Sequence, residues 1–252
     1  MALQQAQSPF SGARVLVTGG TSGIGAAIAA AYLEAGADVT ITGTRASAAA
    51  YDDDLSAYTY QPLDIENDSS IAALSDAVPA LDILINNGGL ALPSLGIDEW
   101  EPDNFDRAVR MHLTGVYRVT CAFRDRLSAS RRPGGGAVVC IGSMSSIFGI
   151  EIVPGYGAAK TGLLGLTRVM AVSWGPRNIR ANAVAVGLVA SRMTSGMFAH
   201  PEATAPTLAR TPLGRLGRPE DVAGPVLFLT GPAAAFVTGQ VLAIDGGFSI
   251  SG

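Results

Sequence analysis

The sequence predicts a single α/β domain in which a doubly wound parallel sheet carries helices on both faces. The chain has 252 residues and is 48% hydrophobic, which suffices to bury one large core. Short β-branched runs alternate with alanine-rich stretches of helical composition. The expected strands are almost continuously apolar, as strands covered by helices on both faces are.

The first element is a strand followed by a tight turn and a helix. A β-branched run at Arg14–Thr18 leads into a glycine cluster, and the alanine-rich stretch Ala26–Ala35 is closed by Gly36. The remaining strands are predicted at Asp38–Thr42, Tyr58–Leu63, Leu81–Asn86, Ala137–Ile141 and Arg180–Val186. Ligands of such sheets bind at the carboxyl ends of the strands, so we expect the residues after each strand to carry the function.

Composition argues against several classes of protein. The formal charge is -4, from 17 Lys and Arg against 21 Asp and Glu, and no long basic run is present, so we expect no nucleic-acid partner. Residues 1–10 contain no apolar stretch of signal-peptide length, and no window reaches about eighteen apolar residues. We therefore expect a cytoplasmic protein without a membrane partner. Cys121 and Cys140 lack partners at metal-ligand spacing, which indicates free thiols and no metal site.

The glycine cluster reads Thr-Gly-Gly-Thr-Ser-Gly-Ile-Gly over residues 18–25. Glycines between a strand and a helix let a pyrophosphate approach the helix N-terminus, where free N–H groups and the dipole favour an anion. This segment resembles the TGxxxGIG motif of the short-chain dehydrogenase/reductase family, and residues 86–89 are similar to that family's NNAG. The resemblance extends over nearly the whole chain. It implies a Rossmann-type fold and an NAD(P)-dependent oxidoreductase.

The resemblance also implies a set of cofactor-binding residues. They are Gly19, Thr21, Ser22, Gly23, Ile24, Gly25, Thr44, Arg45, Asp64, Ile65, Asn87, Gly88, Gly89, Tyr156, Lys160, Gly187, Val189 and Ser191. For Asp64, adenine contact and a simple turn acid stay open as alternatives. No acid follows the second strand at Gly43-Thr44-Arg45, and Arg45 can pair with a 2′-phosphate, which favours NADP(H). Ser22, where many NADP-using relatives carry a basic residue, leaves NAD(H) open.

Tyr156 and Lys160 lie four residues apart, on one face of a helix predicted over Ala158–Ser173. A phenol has an ordinary pKa of about 10, and a neighbouring ammonium favours the phenolate, so the pair can exchange a proton with a hydroxyl or carbonyl oxygen. The family's serine falls on Ser143 by spacing, where its hydroxyl would hold the substrate oxygen. Ser145 stays open as an alternative.

Two positions depart from the family pattern. His112 stands where the family has an Asn whose backbone carbonyl holds a water that links the catalytic Lys to solvent. His112 either titrates near neutral pH and tunes catalysis or is a packed imidazole. Val186 stands where the family usually has Pro before Gly187, and losing that Pro loosens the turn.

Together these residues predict interconversion of a secondary alcohol and a ketone by hydride transfer, with Ser143, Tyr156, Lys160 and His112 as the catalytic set. Residues 188–215 are expected to form a mobile cover over the substrate. The substrate is expected to be mostly apolar, and the substrate-binding residues are Ser143, Ser145, Tyr156, Met193 and Met197, with Ile150 and Ile152 as further wall residues.

Two rival functions stay open. A 3-oxoacyl carrier-protein reductase would use arginines near the site to hold an acidic carrier, and Arg131, Arg132 and Arg177 are the candidates. A nucleotide-binding sensor would keep the cofactor site and lose turnover, but the intact Ser, Tyr and Lys argue against it. The resemblance further implies a homo-oligomer, either a tetramer or a dimer.

Overall fold

The computed structural model describes residues 8–191 and 193–251. Residues 1–7, on which the expectation about a signal peptide largely depends, lie outside the described residues, as do Arg192 of the predicted cover and Gly252.

A parallel sheet of seven strands forms the centre of the described chain. The strands are β1 (Arg14–Val17), β2 (Asp38–Gly43), β3 (Thr59–Pro62), β4 (Ile83–Asn86), β5 (Gly136–Ser143), β6 (Ile179–Val186) and β7 (Val241–Ile244). Their order is β3-β2-β1-β4-β5-β6-β7. The order reverses between β1 and β4, so the loops after these two strands diverge and leave a crevice at the carboxyl edge.

Helices cover both faces of the sheet. They are α1 (Gly23–Glu34), α2 (Asp68–Ala77), α3 (Pro102–Val109), α4 (Gly115–Ala122), α5 (Arg124–Ser128), α6 (Pro154–Trp174), α7 (Ser195–Phe198), α8 (Pro201–Arg210) and α9 (Pro219–Thr230). A π-helical stretch at Arg110–Thr114 joins α3 to α4. Among the described residues, none of these helices has the length and apolar character needed to cross a bilayer.

The core consists of two layers, one on each face of the sheet. Val15 and Val17 of β1 pack with α1 and α9 in the first layer, whereas Leu16 packs with α2, α4 and α6 in the second. Neighbouring side chains of a strand point to opposite faces, and both faces are buried, so an almost continuously apolar run results. This packing confirms the predicted doubly wound fold.

The helices begin earlier than the sequence predicts. α1 begins at Gly23, within the glycine cluster, and α6 begins at Pro154 rather than Ala158. Proline suits the first turn of a helix because its missing N–H would have no intrahelical partner there. The earlier start places Tyr156 inside the first turn of α6.

Candidate active site

The glycine turn after β1 meets the loop after β4 at the crevice. Gly19 has φ of +64°, and a Cβ on it would lie 2.7 Å from the Cα of Gly88. A Cβ on Gly25 would lie 2.2 Å from the carbonyl oxygen of Gly19. Only glycine permits these approaches of one backbone to another. The first turn of α1 carries no acidic residue, so the helix N-terminus is electrostatically suited to an anion.

Thr18 and Asn87 fix this turn to the loop after β4. The Thr18 hydroxyl accepts the backbone N–H groups of Asn87 and Gly88, each at 3.0 Å. The Asn87 amide donates to the carbonyl oxygens of Thr18 and Gly19 at 3.0 and 3.1 Å. Asn87 therefore shapes the cradle through its side chain. Thr18 was not among the predicted site residues, although it opens the glycine motif.

The segment after β6 closes over the same turn. The Cβ of Ser191 would lie 3.3 Å from a Cβ on Gly23, and the Ser191 hydroxyl lies 3.1 Å from that of Thr194. Val189 pairs with Gly217 in an isolated parallel bridge. The structure thus brings the predicted cofactor residues of three separate loops to one edge of the sheet.

A cavity of about 440 Å³ lies beside the glycine turn. It is lined by Gly20, Thr21, Ser22, Gly23, Ala26, Ala30, Asp53, Asp54, Leu55 and Tyr58. Thr44 and Arg45 are exposed after β2, and Ile65 is half-buried after β3. Asp64 is exposed and accepts the Glu66 N–H at 3.0 Å, which is turn geometry that leaves its second oxygen for a ligand. The glycine cradle at the helix N-terminus suits the pyrophosphate of a dinucleotide, whereas the cavity beside it is partly lined by the carboxylates Asp53 and Asp54.

The predicted catalytic side chains converge at the end of β5. Ser143 is the last residue of β5. Burial raises the pKa of the Tyr156 phenol, and the proximity of Ser143 lowers it by a smaller amount. The Lys160 ammonium lies 5.5 Å from the centre of the Tyr156 ring. The Ser145 N–H donates to the Ser143 hydroxyl at 3.2 Å, while the buried Ser145 hydroxyl has no hydrogen-bond partner in the structure. Of the two serines, Ser143 is the one that influences the pKa of Tyr156.

The electrostatics differ from the expectation for the pair. Burial raises the pKa of Tyr156, the hydrogen bond with Ser143 lowers it, and the charge of Glu99 raises it, with a net increase. Burial lowers the pKa of Lys160 to about 8. The Lys160 ammonium donates to the Ile141 carbonyl of β5 at 2.7 Å. The lysine is thus held by β5. The sequence led us to expect that Lys160 lowers the pKa of Tyr156, but the effect of burial is larger and the pKa is raised.

Glu99 is a site residue that sequence reasoning missed. Its side chain is fully buried, and one carboxylate oxygen accepts the Tyr156 backbone N–H at 2.9 Å. The second oxygen has no hydrogen-bond partner in the structure. A buried carboxylate therefore lies directly behind the first turn of α6. No local pattern in the sequence marks this contact.

His112 lies in the π-helical stretch and is 1% exposed. Its Nε2 lies 2.8 Å from the Leu90 carbonyl, and its ring packs edge-on against Tyr156 with centroids 4.7 Å apart. Burial, then the nearby Lys160 charge, lower the pKa of His112 to about 3, although the hydrogen bond to Leu90 raises it. The imidazole is therefore neutral at physiological pH. Of the two alternatives this favours the packed imidazole, and a catalytic role for His112 stays a prediction.

The predicted cover contains α7 and α8. Met193 is half-buried, and Met197 on α7 is 40% exposed. At the end of α8 the Arg210 guanidinium lies 4.8 Å from the centre of the Phe148 ring and 4.5 Å from that of Phe248, and the two rings pack edge-on against each other. Arg210 thus connects the cover to the loop after β5 and to the C-terminal segment. The predicted mobility of the cover stays a prediction.

The candidate carrier-docking arginines lie elsewhere. Arg131 and Arg132 precede β5, and Arg177 precedes β6, which places them at the amino edge of the sheet, opposite Tyr156. Arg177 also pairs with Asp125 at 2.8 Å. The expectation that these arginines surround the site was wrong, because the strand direction carries them away from it.

A family model described as "Enoyl-(Acyl carrier protein) reductase" matches residues 19–249. The cis-4-hydroxycyclohexanecarboxylate dehydrogenase of Sinomonas cyclohexanicum is 38% identical over 93% of this chain and 95% of its own. The chain belongs to the short-chain dehydrogenase/reductase family. A second relative of this short-chain dehydrogenase/reductase is the 3alpha-hydroxysteroid dehydrogenase of Mediterraneibacter gnavus, 35% identical over 92% of this chain and 94% of its own.

Solved structures agree with this membership. The RhlG/NADP active-site complex of Pseudomonas aeruginosa superimposes with a TM-score of 0.83 and is 32% identical, covering 96% of this chain and 99% of that one. This short-chain dehydrogenase/reductase is accordingly an oxidoreductase that acts on CH–OH groups and uses a nicotinamide cofactor.

Proposed function

We propose that this enzyme interconverts a mostly apolar ketone and its secondary alcohol with NADP(H), using Tyr156 as the proton-transfer group. The proposal rests on the clustering of Ser143, Tyr156 and Lys160 near the carboxyl end of β5. The glycine cradle lies at the same edge of the sheet. When bound, the reduced cofactor supplies the hydride that adds to the carbonyl carbon.

The protein's own groups handle the proton. Because its pKa is raised, the Tyr156 phenol is protonated at neutral pH and can donate its proton to the carbonyl oxygen as hydride adds. The Ser143 hydroxyl orients that oxygen and stabilises its developing charge. Lys160 is charged below its pKa of about 8 and would hold the nicotinamide ribose together with Tyr156. In the oxidation direction the phenolate removes the proton from the alcohol.

Residues from each loop would hold the cofactor. The turn over Gly19, Thr21, Ser22, Gly23, Ile24 and Gly25 would bind the pyrophosphate; Thr44, Arg45, Asp64 and Ile65 would bind the adenosine half; and Asn87, Gly88, Gly89, Gly187, Val189 and Ser191 would border the nicotinamide half. Arg45 and the absence of an acid at positions 43–45 support NADP(H).

An apolar substrate is supported by the wall of the site. Ile150 and Ile152 on the loop after β5 are 42% and 60% exposed, and Met193 and Met197 follow the cofactor loop. None of these four side chains carries a charge that could pair with a phosphate group, which disfavours a phosphorylated substrate. The two relatives described above are named for a hydroxycyclohexanecarboxylate and a hydroxysteroid, which both carry the hydroxyl on an alicyclic ring.

We also propose a homo-oligomer that acts in the cytoplasm. Val169 and Val172 on α6 are 61% and 79% exposed, and Phe236 before the edge strand β7 is fully exposed, so apolar surface is present for an interface. The cysteines Cys121 and Cys140 are free, as suits a reducing compartment. Light scattering that gave only a monomer would contradict the oligomer.

The test is a titration of the purified protein with NADPH and NADH, followed by a panel of cyclic ketones monitored at the reduced-nicotinamide absorbance. We expect tighter binding of NADPH and ketone-dependent oxidation. Cofactor binding with no turnover across a broad panel would favour the nucleotide-binding sensor. Turnover confined to 3-oxoacyl thioesters would favour the carrier-protein reductase.

A further inference from the structure

Gly43, the last residue of β2, has a tyrosine hydroxyl directly above it. A Cβ built on Gly43 would lie 2.2 Å from the Tyr51 hydroxyl oxygen, 2.8 Å from the Thr21 Cγ2 and 2.9 Å from the ring carbon that bears the Tyr51 hydroxyl. Gly43 itself is buried and pairs with Pro62 of β3. Any side chain at position 43 therefore requires Tyr51 to move, with a smaller shift of the Thr21 methyl group.

The Tyr51 hydroxyl is held in this place by its neighbours. It accepts the Arg45 N–H at 3.1 Å and lies 3.4 Å from the Tyr60 hydroxyl. The Tyr60 hydroxyl in turn donates to the Arg45 carbonyl. Burial raises the pKa of Tyr51, but these hydrogen bonds together lower it, so the hydroxyl is a well-bound acceptor beside the glycine turn.

The Tyr51 ring also positions a cation. The Arg45 guanidinium lies 4.7 Å from the centre of that ring and donates to the Ala50 carbonyl. A guanidinium stacked on an aromatic face is ordered while its remaining N–H groups stay available to an anion. The charge next to the end of β2 is thus fixed by Tyr51 rather than left to a flexible side chain.

In dinucleotide-binding sheets of this kind, an acid following the second strand accepts hydrogen bonds from the adenosine ribose hydroxyls, and a basic group accommodates a 2′-phosphate instead. We propose that Tyr51 is a specificity-determining residue at this position: its hydroxyl closes the space above Gly43 to an acidic side chain, and its ring holds Arg45 toward a 2′-phosphate. The inference rests on the proposed use of NADP(H) and deepens it.

The test measures equilibrium binding of NADPH and NADH by fluorescence, with no substrate present. Tyr51→Ala should weaken NADPH binding by about fivefold or more while NADH binding changes less than about twofold, since only the 2′-phosphate meets Arg45. Tyr51→Phe keeps the ring and should retain NADPH binding within about threefold. Tyr117→Ala, a half-exposed tyrosine on α4, is the matched control and should change neither.

A pair of variants tests the steric part. Gly43→Asp alone should gain no NADH affinity, because Tyr51 occupies the space that the carboxylate needs. Gly43→Asp combined with Tyr51→Ala should bind NADH about tenfold more tightly than Gly43→Asp does. Thermal unfolding of each variant confirms that it is folded.

The outcomes separate two failures. Equal loss of NADPH and NADH in Tyr51→Ala, or a full gain of NADH affinity in Gly43→Asp alone, would overturn the role of Tyr51 while leaving the oxidoreductase intact. Wild-type protein that binds neither dinucleotide would overturn the proposed function itself.

Discussion

The Glu99 carboxylate accepts the backbone N–H of Tyr156 at 2.9 Å, across 57 positions of sequence. Val153, which precedes α6, provides no side-chain cap for that helix. Glu99 therefore serves as a cap supplied from the loop before α3, and its negative charge is favourable at a helix N-terminus. The placement of Tyr156, the proposed proton-transfer group, thus depends on a carboxylate that contacts its backbone N–H.

Glu99→Gln tests this dependence. The amide can still accept the N–H, but the negative charge that raises the Tyr156 pKa is removed. A lower tyrosine pKa yields the phenolate at lower pH, so the rate of alcohol oxidation should reach half its maximum at lower pH than in the wild type. The free energy of unfolding should fall by about 1 kcal/mol through the lost charge–dipole interaction. Profiles of kcat against pH and urea unfolding provide the readouts.

Glu101→Gln is the control for this prediction, because Glu101 is exposed and makes no side-chain cap for α3. It should leave the profile where it is. An unchanged profile in Glu99→Gln as well would show that Glu99 does not act on the tyrosine.

His112→Asn should leave the pH dependence of kcat between about pH 5 and 8 unchanged, since the wild-type imidazole is already neutral there with its pKa at about 3. Stability should respond instead. Below pH 6.5 the imidazole takes up a proton in the unfolded state but stays neutral in the folded state until about pH 3. The contribution of His112 to the free energy of unfolding is therefore complete above pH 6.5 and declines as pH falls toward 3.

Urea unfolding at about pH 7 and pH 4.5 measures this effect. Between the higher and the lower pH, wild type should lose about 2–3 kcal/mol more of its free energy of unfolding than His112→Asn does. A kinetic pKa near 6.5 that vanishes in the variant would instead mean that His112 titrates during catalysis.

Asp82 joins β1 to the loop before β5. Its carboxylate accepts Arg14 Nε at 2.8 Å and the Ser130 hydroxyl at 2.7 Å. Burial alone would raise its pKa, but these hydrogen bonds and the Arg14 charge lower it to about 2. The stability from this depressed pKa is present above about 3.8 and is lost as pH falls toward 2, and Asp82→Asn should cost about 2 kcal/mol at neutral pH.

Asp76→Asn on the exposed face of α2 serves as the comparison for Asp82→Asn in denaturant unfolding at neutral pH. Because Asp82 lies at the amino edge of the sheet, cofactor binding should be retained in both variants. Equal stability of the two variants would contradict the proposed contribution of Asp82.

Arg210→Ala should loosen α8, because it removes the guanidinium that contacts both the Phe148 and Phe248 rings. We expect faster chymotrypsin cleavage within residues 193–210 and a KM for ketone raised about two- to fivefold, with unchanged NADPH affinity. Arg131→Ala, at the opposite edge, is the control. Cleavage that stays as slow as in the wild type would show that Arg210 does not hold the cover.

Local patterns predicted the parts of this enzyme that depend on neighbours in sequence. The strands followed from apolar runs, the crevice from the glycine turn, and the Tyr156–Lys160 face from a spacing of four residues. These features arise within one element or one turn, where side-chain periodicity and glycine conformation decide the structure.

Contacts between distant segments were not predictable in the same way. Glu99 reaches Tyr156 from another loop, Tyr51 folds back over Gly43, and Lys160 donates to a strand carbonyl. Such contacts depend on how loops pack once the sheet has formed, and no sequence period encodes them. The prediction for the docking arginines failed for a related reason: the direction of β5 and β6 decides at which edge of the sheet they lie.

We propose Tyr156 as the group that transfers the proton. The most direct test compares wild type and Tyr156→Phe in two measurements on one preparation: the Kd for NADPH and the rate of ketone-dependent NADPH oxidation. We expect Tyr156→Phe to bind NADPH within about threefold of wild type and to lose about 10²–10⁴ in kcat. If a folded, cofactor-binding Tyr156→Phe enzyme keeps its kcat within about tenfold of wild type, a group other than Tyr156 transfers the proton.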